Sequence, residues 1–87
     1  MATLEHEREI GARAKALLDD DLLKAAFEAV QYSIHEQWEH CGDPSIRDRL
    51  WMKLQVIKDV YKDLDTKIQT GLMAAQQLRA QAARLNG

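Results

Sequence analysis

From Leu50 to Leu85 one interval pattern governs the chain. Leu50, Leu54, Ile57, Tyr61, Leu64 and Ile68 are spaced alternately by four and three residues, and Gly71, Ala75, Leu78, Ala82 and Leu85 carry the rhythm on. A seam held over about five heptads specifies a long helix with a single apolar stripe. The chain's one proline, Pro44, lies ahead of the seam, so nothing inside it breaks a helix. The second half of the seam is small and thin, with Gly71, Ala75 and Ala82 where the first half has large residues. Small residues permit a close helix approach, or else mark a fraying end.

The segment ahead of the seam has the same rhythm in Leu23, Phe27, Val30 and Ile34, with Trp38 and Cys41 beyond. Between the two lies Cys41-Gly42-Asp43-Pro44. Gly42 suits the left-handed position past a helix end, Asp43 a cap, and Pro44 a first helical turn. Laid antiparallel about this turn, Ile34 meets Leu54, Val30 meets Ile57, Phe27 meets Tyr61 and Leu23 meets Leu64. Trp38 and Trp51 then close the end near the turn. The expected fold is all-α, a long antiparallel helical hairpin over 1–87 as a single domain. Its helices are expected at about 3–18, 21–41 and 44–85, with a turn at 42–43.

Asp19-Asp20-Asp21 predicts a kink in the N-terminal arm, since aspartate competes for backbone donors and favours caps. Beyond it Ile10, Ala14 and Leu17 would face Leu78, Ala75 and Gly71, although the phase slips by one residue at the aspartates. Two arrangements follow. The first helix covers the distal half of the long helix, which is preferred, or it folds back into a three-helix bundle. In either case Trp51, Val56, Val60, Leu72 and Met73, with Leu18, Leu22, Ala26 and Tyr32, form apolar fringes off the seam. Such a surplus points to partners, and self-association is the simplest.

A chain of 87 residues with 46% hydrophobic and 30% charged side chains is neither disordered nor large enough for a deep core. The single cysteine, Cys41, forms no internal disulfide, and no apolar run reaches the ~18 residues of a membrane span. The start of the chain lacks a signal-peptide pattern, so a cytoplasmic location is expected. The net charge of −2 is unevenly spread. Residues 1–43 carry ten acidic against four basic side chains, and residues 44–87 carry four acidic against eight basic. The two halves attract each other.

The run His35-Glu36-Gln37-Trp38-Glu39-His40-Cys41 fails as a metal motif. A zinc-protease helix needs its second histidine where Glu39 stands, and His35 and His40, five apart, lie about 140° around a helix. His40 beside Cys41 makes no dyad, because helix neighbours diverge by about 100°. Isolated His6 reads as an exposed side chain. Glycines at 11, 42, 71 and 87 form no phosphate loop. No catalytic residue, metal ligand, cofactor or small-molecule substrate is therefore expected, and the chain reads as a non-enzyme. Arg47, Arg49 and Lys53 after the turn suggest a helix–turn–helix, but matched heptads demand near-antiparallel packing and a recognition unit needs a steep crossing. Nucleic-acid binding is disfavoured for this reason, and a membrane-surface role because the tail from Gly71 lacks a polybasic face.

Leu17-Leu18 and Leu22-Leu23 flank the aspartate break, a long amphipathic segment ends near Trp38, and Arg49-Leu50-Trp51 opens the next helix. In these features residues 16–38 and 47–64 resemble small helical proteins encoded among the head-morphogenesis genes of tailed phages and prophages. The break in those proteins often carries proline, whereas this chain has only aspartate. The resemblance spans roughly half the chain and brings no catalytic residues. It implies a phage or prophage assembly accessory acting through helix–helix contacts, with itself or another phage protein as partner. Leu72, Ala75, Leu78 and Leu85 are the expected partner surface. The alternatives are a nucleic-acid-binding regulator and a small helical chaperone or adaptor.

Overall fold

A computed structural model describes residues 3–86, and all elements among them are helices. Helix α1 spans Leu4–Asp19, α2 spans Asp21–His40 and α3 spans Pro44–Asn86. None is long and apolar enough to cross a membrane.

The helix starts follow from side chains that accept orphan amides. Thr3 Oγ1 accepts from His6 N at 3.1 Å, and Glu5 and Glu7 place negative charge in the first turn of α1. Asp20 separates α1 from α2. Its backbone is extended (φ −71°, ψ 121°), and its carboxylate accepts from Leu23 N at 2.8 Å. Asp43 opens α3, its Oδ1 accepting from Ser45 N at 2.9 Å and its carbonyl from Arg47 N at 3.0 Å. Gly42 does not take the expected left-handed conformation, since no residue described has that φ. Cys41 ends α2 by turning extended (φ −97°, ψ 121°), with its own N–H donating to Trp38 O. A chain that leaves the helix this way has no need of a left-handed residue.

Contacts group the helices into two compact units, Met1–Asp19 with Asp63–Gly87, and Asp20–Lys62. In the second, α2 and the first part of α3 form the hairpin in the expected register. The rings of Phe27 and Tyr61 meet at 4.8 Å between centroids, tilted by 52°. Ile34 and Leu50 are buried, and Leu23, Leu54 and Ile57 are half-buried. Val30, expected in the seam, is half exposed. It stands on the bank of a shallow apolar groove with Leu23, Ala26, Phe27 and Ile57.

In the first unit α1 covers the distal half of α3, as preferred over a three-helix bundle. The register differs from expectation. Gly71 meets Gly11, six residues before Leu17, and Leu17 is 51% exposed. The covered stripe of α1 runs through Leu4, Glu7, Gly11, Ala14 and Leu18, so Leu18 takes the inward place assigned to Leu17. The cause is a backbone contact. A Cβ on Gly11 would lie 2.8 Å from both Gly71 Cα and the Lys67 carbonyl oxygen, and one on Gly71 would lie 2.8 Å from Gly11 Cα. Only glycine at both positions allows this approach. It buries Ala14 and Ala74, side chains too short to meet across a wider gap.

Alanine at either glycine sets two effects against each other. The gain in helix propensity is about 1 kcal/mol. A methyl driven into backbone that has no rotamer to change costs about 1–3 kcal/mol. Gly11→Ala and Gly71→Ala should each lower the melting temperature, by roughly 4–8 °C for a net loss of about 1 kcal/mol. Gly42→Ala, with nothing within 4 Å of the new methyl, should leave it unchanged or slightly raised. Thermal unfolding followed by circular dichroism checks all three. Equal stability of the Gly11 and Gly42 variants would contradict the packing described.

Candidate protein-interaction surface

The side chains that carry chemistry do not converge. His40 Nε2 lies 3.6 Å from Glu36 Oε2 one turn back, both exposed, and the Cys41 thiol donates to the Asp43 carbonyl at 3.6 Å. Among the described residues no three His, Cys, Asp or Glu side chains group as a metal site. Lys15 donates to Asp19 Oδ2 at 2.8 Å. That hydrogen bond, and then the carboxylate's charge, hold its ammonium above the usual lysine pKa. The pair is exposed, as is the Lys67–Asp63 pair, and such exposed i,i+4 pairs contribute little to stability.

At the turn end of the second unit, Trp38 and Trp51 do not close on each other. The Arg47 guanidinium lies over the Trp38 ring, 3.9 Å from its centroid, and Trp51 is exposed. Trp38, Gly42, Pro44, Arg47, Asp48 and Trp51 line the open cavity there. The guanidinium attracts the ring face electrostatically while its stem covers apolar surface.

The four residues expected to form a partner surface divide. Leu72 is exposed at the edge of a groove lined by Arg8, Gly11, Ala12, Lys15, Ile68, Gly71 and Ala75. Ala75 and Leu78 are half-buried on the covered stripe. Leu85 continues that stripe by one heptad and is 87% exposed, and Ala82 between them is exposed as well. The stripe of α3 is thus covered as far as Leu78 and open beyond it.

The second unit is asymmetric about its seam. On one flank Leu22, Ala26 and Val30 of α2, with Met52, Val56 and Val60 of α3, are exposed. The opposite flank carries Lys24, Glu28 and His35 on α2 and Trp51, Lys58 and Lys62 on α3, while Lys53 shares the flank of Val60. Helical phase puts each set on one side, since in an antiparallel pair the same rotational flank of both helices faces the same way. Val56 and Val60 are legible in the sequence as fringe residues. Met52 belongs with them, since it stands four residues before Val56 on the same row, but the seam pattern alone does not single it out.

Comparison with protein-family models, with curated proteins and with solved structures finds no match to this chain.

The Arg47–Trp38 contact is open to a direct check. In a Trp51→Phe background, where Trp38 is the sole indole, Arg47→Ala should red-shift the emission and increase acrylamide quenching. The stability loss should be about 0.5–1 kcal/mol. Arg47→Met, which keeps the apolar stem, should lose less. Identical quenching with and without the Arg47→Ala substitution would remove the stacking contact from the account.

Proposed function

We propose that this chain is a non-enzymatic accessory of phage or prophage assembly that acts through helix–helix contacts with other protein. The observation that carries the reading is the exposed apolar surface on regular helices, above all Met52, Val56 and Val60 on one unit and Leu72 and Leu85 on the other. Rows of large apolar side chains at helical spacing are what a partner helix recognises. They are costly to leave in water, at about 25 cal/mol per Å². The resemblance of residues 16–38 and 47–64 to head-morphogenesis proteins supplies the context, with a role in the host cytoplasm or on the particle. The basic side chains of α3 fit the flanks of a helical seam. Arg47 is committed to Trp38, and Lys67 to Asp63.

The test is to delete the gene from the phage or prophage that encodes it. Genome replication and transcription should proceed normally, while electron microscopy shows fewer complete particles or malformed heads. Normal particles in normal number would overturn the reading. A transcriptional defect, together with a gel shift of purified chain and DNA or RNA that weakens steeply with salt, would replace it with a nucleic-acid-binding regulator.

A further inference from the structure

Off the hairpin seam, α3 carries a second row with heptad spacing: Arg49, Met52, Val56 and Asp59, separated by three, four and three residues. All four side chains are exposed, Met52 by 60% and Val56 by 61%. The row reads basic, apolar, apolar, acidic, and it is antisymmetric in charge about its midpoint. Neither Arg49 nor Asp59 has an ion-pair partner among the described residues.

We propose that a second copy of this chain occupies this row. The two α3 helices lie antiparallel about a two-fold axis between Met52 and Val56. This names a partner for the protein-contact function proposed above and rests on that reading. An isologous contact requires that if residue i meets j of the second copy, j meets i. The row satisfies it. Met52 meets Val56 of the second copy, Arg49 meets its Asp59, and both contacts are made twice. A parallel pairing would set Arg49 on Arg49 and Asp59 on Asp59, which like-charge repulsion opposes. A foreign helix needs only to complement the row, and nothing about binding one requires the row to complement itself.

Among the described residues the buried apolar set is Ala14, Ile34, Leu50 and Ala74, a slender core for this length. The apolar pairs supply the attraction and the charges fix the orientation.

The experiment is sedimentation equilibrium over a dilution series of the full chain and four variants, with helicity checked by circular dichroism. The wild type should sediment at twice the chain mass in low and high salt. Val56→Asp, at an exposed position, should be a fully helical monomer. Arg49→Glu and Asp59→Arg should each weaken the dimer about tenfold, less in 1 M salt where charges are screened. The double variant Arg49→Glu with Asp59→Arg should recover nearly wild-type affinity. A monomeric wild type, an oligomer indifferent to Val56→Asp, or a double variant as weak as the single ones overturns the proposal. A monomeric wild type alongside defective particles on gene deletion would leave the assembly role standing, with a foreign protein as partner.

Discussion

A helix of 43 residues has one apolar stripe to hide, and in this chain two shorter helices hide it. Everything else in the fold follows from that constraint. Each unit is two helices thick, so a residue is covered only where it points straight at the neighbouring helix. Side chains a quarter-turn off the stripe stay at the edge. This is why the interior holds few fully buried residues while whole rows such as Met52, Val56 and Val60 remain in water.

The two units solve the same contact in opposite ways. Between α2 and α3 the gap is filled by large side chains, with the Phe27 and Tyr61 rings in tilted contact. Between α1 and α3 it is closed by bringing the backbones together at Gly11 and Gly71. The first solution tolerates adjustment, since rings and leucines change rotamer. The second does not, because what touches is main chain. The thin half of the heptad seam, ambiguous in sequence between close packing and a fraying tail, is therefore close packing as far as Leu78. Beyond it, at Ala82 and Leu85, the stripe has no cover.

This contrast also explains what was legible in the sequence. The hairpin was, because large apolar residues at matched spacing on both sides of Cys41–Pro44 leave one antiparallel register. The cap at Asp43 was, and so was a cap within Asp19–Asp21, although not that Asp20 is the one, because a carboxylate before a helix has a specific use for the first amides. The register of α1 was not. A count of apolar side chains weights Ile10 and Leu17 and gives Gly11 no weight. Yet Gly11 decides the register through the Cβ it lacks. Gly42 misled in the opposite sense: it sits where a left-handed residue is common, but Cys41 had already left the helix in extended form. Two aromatics near a turn suggest a mutual contact, but the Arg47 guanidinium covers the Trp38 ring in place of Trp51.

The uneven charge of the chain takes on a more specific meaning with the helices in place. Most of the acidic excess lies on α1 and α2 and most of the basic excess on α3, a broad attraction that fixes no register. What remains for recognition is local, and on the row from Arg49 to Asp59 it changes sign from one end to the other. A uniform patch would attract a partner from a distance without orienting it. A row with opposite ends contributes little net attraction but selects a direction, because one orientation pairs unlike charges and the reverse pairs like ones. An apolar stripe alone would slide and flip along a second helix. Two charges bracketing two apolar residues are the least that would fix both direction and register, and α3 displays that minimum on a face its own chain leaves uncovered.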